Sequence, residues 1–189
     1  MTRDAPLGRV RIIGGEWRRR WLPVPAAEGL RPTGDRVRET LVNWLMPHLP
    51  GARCLDLFAG TGVLGFEALS RGASHATFVE RDARVFTQLA HNAEVLQAGT
   101  RAALVNADAA RFLLAQPPSA FDIVFLDPPF ASALMAEVMP RLAQAWLTPG
   151  ALLYLEFPRG GAGIALPEGW RMMREGETRQ AGFGLARRA

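Results

Sequence analysis

The chain has no lysine, a single cysteine and no long apolar run, and each absence limits what the protein can be. Cys54 has no cysteine partner in the chain, so an internal disulfide is excluded, as is usual in a reducing cytoplasm. The three histidines share no metal-ligand spacing, and we expect no metal site. No window approaches ~18 uninterrupted apolar residues, and the first residues lack the apolar segment of a secretion signal. We therefore expect a cytoplasmic enzyme that makes no contact with a membrane.

All 22 cationic side chains are arginines, and they are unevenly distributed. Residues 1–23 hold six arginines and two acids, a local charge of +4 that accounts for the net charge of the whole chain. A local excess of this kind is typical of proteins that bind phosphate-rich nucleic acid. The distribution of charge therefore favours a nucleic-acid partner at the N-terminal end.

The basic segment is predicted to form a hairpin. Residues 9–12 alternate like a half-buried strand, Gly14-Gly15 suits a tight turn, and residues 17–22 return. Its two tryptophans could stack on bases while its arginines neutralise phosphates; alternatively, the tryptophans attach the hairpin to the domain and the arginines are solvated. An extended linker follows over residues 23–29, so residues 1–29 are expected to be an extension and residues 30–189 the main domain. The candidate RNA-binding residues are Arg11, Arg18, Arg19, Arg20 and Arg31.

A continuous apolar strand over residues 121–126 ends at Asp127-Pro128-Pro129-Phe130. Because prolines lack a backbone N–H, the strand cannot continue. It therefore stops at its carboxyl end, where open α/β sheets place their active sites. A carboxylate, stiff backbone carbonyls and an aromatic ring suit a planar substrate that carries an NH₂ group. The alternative is a proline-rich turn that Asp127 only caps. The candidate catalytic residues are Asp127, Pro128, Pro129 and Phe130.

The apolar residues 54–58 are followed by Gly60, Gly62 and Gly65, a GxGxxG spacing between a predicted strand and a predicted helix. These glycines allow a tight turn, close approach to a ligand and close helix packing. Dinucleotide-binding proteins share this spacing. Asp56 would repel a pyrophosphate and attract an ammonium group, which favours S-adenosylmethionine over NAD.

Four successive predicted strands end in an acid, namely Asp56, Glu80, Asp108 and Asp127. Glu80 suits a bidentate hydrogen bond to ribose hydroxyls, and Asp108 could accept from an adenine amine. Each acid could separately cap a helix, as Asp108 could, but the four together favour a nucleoside cofactor. The candidate cofactor-binding residues are Asp56, Phe58, Ala59, Gly60, Thr61, Gly62, Glu80, Arg81, Asp108 and Ala109.

The rest of the chain predicts further helices and strands. A helix begins near residue 35 with Val37, Leu41, Trp44 and Leu45 on one face. A second amphipathic helix is predicted over residues 132–146 and a strand over 150–155. A final hairpin over residues 170–188 is predicted to turn near 175–178.

Four segments resemble the RsmD family: RIIGG at 11–15, RPTGDRVRETLVNWL at 31–45, DLFAGTGVLGFEALSRGA at 56–73 and DPPF at 127–130. Members of this family are bacterial methyltransferases that act on N2 of one guanine in 16S ribosomal RNA. The resemblance implies an α/β, Rossmann-like fold of the class I S-adenosylmethionine-dependent methyltransferases, with a seven-stranded, mostly parallel sheet and an antiparallel last strand. It also implies S-adenosylmethionine as methyl donor and 16S ribosomal RNA in a partly assembled small ribosomal subunit as partner; we expect a monomer.

Two features depart from the pattern of the family. The DPPY-type motif ends here in Phe130, which keeps an aromatic face and lacks a hydroxyl, and residues 160–163 lie in an unusually glycine-rich segment. In the mechanism that we expect, Asp127 and the Pro128 carbonyl accept hydrogen bonds from the two N–H groups of the guanine amine. Phe130 stacks on the base after it has flipped out of its helix or loop.

Three alternatives remain open at the level of the sequence. A DNA adenine or cytosine N-methyltransferase shares the DPP-aromatic motif, although no target-recognition domain is visible in 189 residues. A protein-glutamine methyltransferase would leave the basic hairpin without a purpose. A non-catalytic RNA-binding module would keep the arginines without needing Asp56, Glu80 and Asp127.

Overall fold

The computed structural model describes residues 8–25, 34–115, 117, 120–128, 132–159, 166–179 and 181–189. Three candidate site residues, Arg31, Pro129 and Phe130, lie outside the described residues, as does the glycine-rich segment 160–163. Within the described part of the chain, no helix is long and apolar enough to cross a membrane.

Seven strands form one sheet in the order β5-β4-β3-β6-β7-β9-β8, and two N-terminal strands, β1 and β2, pair separately. Strands β3 to β7 are parallel, whereas β9 lies antiparallel between β7 and β8. The predicted seven-stranded sheet with an antiparallel last strand is confirmed. The strands are β1 (Gly8–Arg11), β2 (Trp21–Val24), β3 (Arg53–Asp56), β4 (His75–Glu80), β5 (Ala102–Asn106), β6 (Phe121–Leu126), β7 (Leu147–Pro158), β8 (Trp170–Glu177) and β9 (Ala181–Arg188).

The helices cover both faces of this sheet. They are α1 (Asp35–Leu45), α2 (Val63–Ser70), α3 (Ala83–Val95), α4 (Ala109–Phe112) and α5 (Ser132–Arg141). The helix predicted over 132–146 changes character near its end: Pro140 lies inside α5, and Leu142–Trp146 form a π-helical turn. Pro140 has no N–H to donate to the helix ladder, which favours a change of hydrogen-bond pattern here.

The sheet separates two apolar clusters. Side chains of α1, α2, α3 and the N-terminal hairpin pack on one face, and those of α4 and α5 pack on the other. Phe125 on β6 belongs to the first cluster and its neighbour Val124 to the second. Since both faces of these parallel strands are buried, their sequences are continuously apolar.

The N-terminal hairpin differs from the prediction. The return strand is Trp21–Val24 rather than residues 17–22, so Pro23 and Val24 belong to a strand and not to a linker. Residues 13–19 form the connection, which closes where the Ile12 N–H donates to the Arg20 carbonyl at 2.9 Å.

The two tryptophans of this segment have different environments. Trp17 is only 5% exposed and packs edge-on against Phe66, with ring centroids 6.3 Å apart, so it cannot stack on bases as one hypothesis required. Trp21 is 54% exposed. The attachment role is therefore confirmed for Trp17, and only Trp21 is accessible to a ligand.

The C-terminal hairpin turns slightly later than predicted. Strand β8 continues to Glu177 and β9 begins at Ala181, so the turn begins after Glu177 rather than near residues 175–178. Thr178 holds this turn: its N–H donates to the Ala181 carbonyl at 2.8 Å, and its hydroxyl oxygen accepts from the Ala181 N–H at 2.9 Å.

A buried ion network joins the hairpin to α1 and α2. The fully buried Arg38 guanidinium donates to the Arg11 carbonyl at 2.8 Å and to Glu67 at 3.1 Å. It also donates to the exposed Asp35 carboxylate, one turn earlier on α1, at 2.6 Å. Glu67 also accepts from the Ile13 N–H, and Arg71 lies 3.5 Å from its second oxygen. Burial raises the pKa of Glu67, while the Ile13 N–H and the two cations oppose that rise.

We expect replacement of Glu67 by Ala to destabilise the protein by about 3 kcal/mol, the low end of the range for breaking a buried ion pair, because Arg38 would stay buried with only the exposed Asp35 as its counter-charge. The measurement is urea unfolding, and the control is the exposed Glu39→Ala on the same helix as Arg38, expected within about 0.5 kcal/mol of the parent. Equal stability of the two variants would contradict this account of the network.

Candidate active site

The four acids predicted at strand ends lie along one edge of the sheet. Asp56 is the last residue of β3 and Glu80 the last of β4, while Asp108 and Asp127 follow β5 and β6. Because these four strands are parallel neighbours, their carboxyl ends meet at the same edge. The chain order reverses between β3 and β6, which is where open α/β sheets form a binding crevice.

The glycine loop between β3 and α2 supplies the floor of this crevice. Gly60 and Gly62 have φ angles of +52° and +79°, and the Gly62 N–H donates to the Ala59 carbonyl at 2.7 Å. A Cβ at Gly62 would lie 2.5 Å from Leu89 and 2.6 Å from Phe66. A Cβ at Gly65 would collide with Phe78. The predicted glycine roles, a tight turn and close packing, are present in the structure.

Asp56 is a buried carboxyl group at the start of this loop. It is 3% exposed and accepts from the Gly65 N–H, in the first turn of α2, at 3.1 Å. Burial raises the pKa of Asp56 to about 7; the Gly65 hydrogen bond opposes this rise and the nearby charge of Glu80 adds to it. A cation bound beside Asp56 would favour its ionised form.

Glu80 connects the glycine loop to the loop after β4. One carboxylate oxygen accepts from the Gly60 N–H at 3.0 Å and the other from the Asp82 N–H at 2.7 Å. Asn106 on β5 donates to the carbonyls of Glu80 and Arg81, at 2.7 and 3.2 Å. The sequence reasoning did not identify Asn106, which holds the backbone of two candidate cofactor residues.

Asp108 caps helix α4. Its Oδ1 accepts from the N–H groups of Ala110 and Arg111 at 3.0 and 3.2 Å. The capping interpretation offered for this residue is thus confirmed. A carboxylate has about four acceptor positions, so the cap leaves capacity for a ligand.

Asn92 is a buried polar residue that the sequence reasoning missed. Its amide donates to the carbonyl of Thr61 in the glycine loop at 3.1 Å and to that of Pro23 in β2 at 3.4 Å. The available signal was its position on α3, on the same face as Val85 and Leu89. One side chain therefore ties the glycine loop to the N-terminal hairpin.

Asp127 and Pro128 follow β6 at the crevice. Asp56 pairs with Phe125, two residues before Asp127, so both acids belong to adjacent strand ends. Both Asp127 and Pro128 are half-buried. Among the described residues, no group of three or more His, Cys, Asp and Glu side chains could hold a metal ion.

The arginines proposed for RNA contact lie on the surface of the N-terminal hairpin. Arg11, Arg18, Arg19 and Arg20 are all exposed. The Arg11 guanidinium lies 5.8 Å from the centroid of the Trp21 ring. Arg20 also donates to the Val95 carbonyl at the end of α3, at 3.0 Å.

The sheet order, the antiparallel strand β9 and the glycine loop after β3 define the fold of the class I S-adenosylmethionine-dependent methyltransferases. Residues 10–185 match the family described as Conserved hypothetical protein 95. The chain belongs to this family, which is the RsmD family that the sequence motifs indicated.

Named relatives and a solved structure agree with this assignment. The chain is 48% identical to the ribosomal RNA small subunit methyltransferase D of Escherichia coli K12, over 96% of this chain and 91% of that protein. The protein of the same name from Haemophilus influenzae is 48% identical, over 90% of both chains. The solved structure of the putative methyltransferase yhhF from Escherichia coli superposes with a TM-score of 0.88 at 46% identity, over 96% of this chain and 98% of that one.

We expect Gly62→Ala to destabilise the protein more than Gly99→Ala does. Both positions have a positive φ, but only at Gly62 would the new methyl group meet other atoms within 4 Å. The extra destabilisation from overpacking should be about 1–3 kcal/mol. Thermal unfolding of the two variants measures the difference, and equal melting temperatures would show that the loop relaxes without loss.

Proposed function

We propose that this protein transfers the methyl group of S-adenosylmethionine to the exocyclic N2 amine of a guanine in 16S ribosomal RNA. The substrate is a partly assembled small ribosomal subunit in the cytoplasm, and the enzyme acts as a monomer. The observation that carries this proposal is the position of Asp127-Pro128 beside Asp56 and the glycine loop. The relatives named as small-subunit ribosomal RNA methyltransferases support the substrate.

The described residues fit the proposed cofactor. A buried carboxyl group with a pKa of about 7 suits the ammonium of an amino-acid moiety, and the glycine loop at Gly62 leaves no room for further side-chain atoms. Glu80 and Asp108 retain acceptor capacity for ribose and adenine. The residues that would hold the cofactor are Asp56, Phe58, Ala59, Gly60, Thr61, Gly62, Glu80, Arg81, Asp108 and Ala109.

Asp127 and Pro128 carry the proposed chemistry. The lone pair of the guanine amine is delocalised into the ring, which makes the amine a poor nucleophile. S-adenosylmethionine, when bound, supplies an electrophilic methyl group. The Asp127 carboxylate and the Pro128 carbonyl accept hydrogen bonds from the two N–H groups of the amine and so hold its nitrogen in one orientation. As the nitrogen gains the methyl group it loses one proton, which Asp127 or a water molecule accepts, and the transfer leaves a neutral thioether. Phe130 stacks on the base, and positioning supplies most of the rate acceleration.

The exposed arginines of the hairpin serve as the RNA-binding surface in this proposal. Arg11, Arg18, Arg19 and Arg20 present positive charge next to the exposed Trp21 ring, a combination that binds phosphates and stacks on bases. Arg31 is proposed as a further contact. Asn92 links this hairpin to the glycine loop, so the RNA surface and the cofactor site are fixed relative to each other.

Nucleoside mass spectrometry of 16S ribosomal RNA tests the function. RNA from cells that lack the gene should lose N2-methylguanosine, and the parent gene should restore it. A gene that carries Asp127→Ala should not restore N2-methylguanosine. The purified variant should nevertheless bind S-adenosylmethionine about as tightly as the parent does. An unchanged nucleoside profile on deletion would reject the proposal. Equal loss of methylation and cofactor binding would reassign Asp127 to the cofactor site.

We expect cofactor affinity to fall as the pH drops below about 7, because the raised pKa of Asp56 means that a proton must leave when the ammonium binds. The limiting slope is about tenfold per pH unit. The stability of the cofactor-free protein should change in the other direction with pH. Because the pKa of Asp56 is higher in the folded than in the unfolded state, the contribution of Asp56 to the free energy of unfolding falls as the pH rises from about 4 to 7.

Calorimetry between pH 5.5 and 7.5 measures this dependence of cofactor affinity on pH. Asp56→Asn keeps an acceptor for the Gly65 N–H and should bind more weakly with a flat profile. Parallel profiles of variant and parent would show that another group titrates.

Neutralising the hairpin arginines should weaken RNA binding without changing cofactor affinity. In Arg18, Arg19 and Arg20→Gln, the slope of log affinity against log salt should flatten by ~0.7–0.9 for each phosphate that is no longer neutralised. The control is Arg111→Gln with Arg171→Gln, two exposed arginines on other elements. The measurement is a salt titration on the ribonucleoprotein substrate. Identical slopes for the parent and the hairpin variant would show that these arginines do not touch phosphate.

A further inference from the structure

A second carboxylate lies next to the proposed catalytic acid. Phe125 on β6 pairs with Tyr154 on β7, and Leu126 pairs with Leu155. The next residues along these two parallel strands are Asp127 and Glu156. Since side chains alternate between the faces of a sheet, Asp127 and Glu156 continue the face that carries Phe125 and Tyr154.

Tyr154 holds Glu156 in place. Its side chain is fully buried, and its hydroxyl donates to Glu156 Oε1 at 2.6 Å. This is a short, charge-assisted hydrogen bond, the stronger class of such bonds. Burial raises the pKa of Tyr154 far above its usual value, and the charges of Glu156 and Asp127 raise it further. The hydroxyl therefore stays protonated and keeps donating at any working pH.

This pair is not required for packing. A phenylalanine at position 154 would fill the same apolar space, whereas a buried hydroxyl must find a partner. The ring of Tyr154 packs edge-on against Phe125, with centroids 6.5 Å apart. Phe183 on β9 pairs with Glu156 on β7, and its ring stacks on Trp44 with centroids 5.5 Å apart. Glu156 is thus half-buried next to these aromatic rings and beside Asp127, the proposed acceptor for the target amine.

The edge of guanine presents two adjacent donors, the N1–H and the N2 amine. Adenine and cytosine each place an unprotonated ring nitrogen, an acceptor, next to their amine. A carboxylate facing that ring position would attract guanine and repel the other two bases. Neighbouring strands lie about 4.8 Å apart, and the longer glutamate side chain lets the two carboxylates approach adjacent donors.

We propose that the Glu156 carboxylate accepts a hydrogen bond from the N1–H of the target base, while Tyr154 acts as a positioning residue that fixes this carboxylate. This inference rests on the proposed function. The inference identifies a residue that would select guanine, because Asp127 alone could accept a hydrogen bond from the amine of any of the three bases. Sites built around a substrate N–H reject analogues that lack it far more strongly than apolar pockets reject a missing methylene.

The test compares guanine with 2-aminopurine, which keeps the amine at C2 but has an unprotonated N1. The methylated position is first mapped with the parent enzyme. Small-subunit particles are then assembled from ligated RNA that carries either base at that position, and kcat/KM is measured for each. The parent enzyme should prefer guanine by about 10- to 100-fold or more.

Glu156→Gln should reverse part of this preference, because its amide can donate to the unprotonated N1. We expect about a 10- to 100-fold loss of kcat/KM on guanine and a smaller loss, or a gain, on 2-aminopurine. Tyr154→Phe should reduce the preference in the same direction. Glu156→Asp should also reduce it, because the shorter side chain reaches neither the N1–H nor the Tyr154 hydroxyl in the same way. Glu175→Gln, on an exposed part of β8, is the matched control and should behave as the parent does.

The possible results separate this inference from the proposed function. N2-methylguanosine formed by the parent enzyme, together with an unchanged base preference in Glu156→Gln, would overturn the inference alone. Absence of N2-methylguanosine with the parent enzyme would overturn both. Melting temperature and cofactor affinity identify a variant that fails to fold. In that case Tyr154→Phe provides the same comparison of the two bases, and an unchanged preference in this variant would likewise overturn the inference.

Discussion

A buried arginine that must be neutralised organises one side of this molecule. Arg38 has no access to solvent, and it is paired with Asp35 on its own helix, with Glu67 on α2 and with the Arg11 carbonyl on the hairpin. Removing charges from water is costly unless each one is paired and hydrogen-bonded. Three segments that are distant in the sequence must therefore dock together. Because α2 begins at the glycine loop, the same docking fixes the direction in which this loop faces the crevice.

The acids at the carboxyl edge of the sheet differ in what already engages them. Asp56 is buried with a pKa of about 7, Glu80 accepts two backbone N–H groups, and Asp108 caps a helix. Carboxylates that share an edge can take different roles because their surroundings differ. Asp127 follows the end of β6, and Glu156 lies beside it on the adjacent strand β7, where Tyr154 donates to it. In the function that we propose, this edge therefore has one region for a cationic nucleoside and another for the target amine.

The hairpin is part of the same packed body as the crevice. Its apolar side joins the cluster formed by α1, α2 and α3, and Trp17 packs on Phe66. Asn92 donates both to Pro23 in the hairpin and to Thr61 in the glycine loop. A surface that binds RNA would thus be held at a fixed distance from the site of methyl transfer, which is the requirement for selecting one base in a large particle.

The sequence alone determined the class of fold, the glycine loop and the acids at the strand ends. These features depend on local spacing: buried parallel strands are continuously apolar, and a strand stops where Asp127 meets two prolines. Only the tertiary structure decided that Trp17 is buried, that Glu67 pairs with Arg38, and that Glu156 is held by Tyr154 next to Asp127. Those outcomes depend on strand register and on which helix covers which face. Both are set by contacts between residues tens of positions apart, which no local pattern encodes.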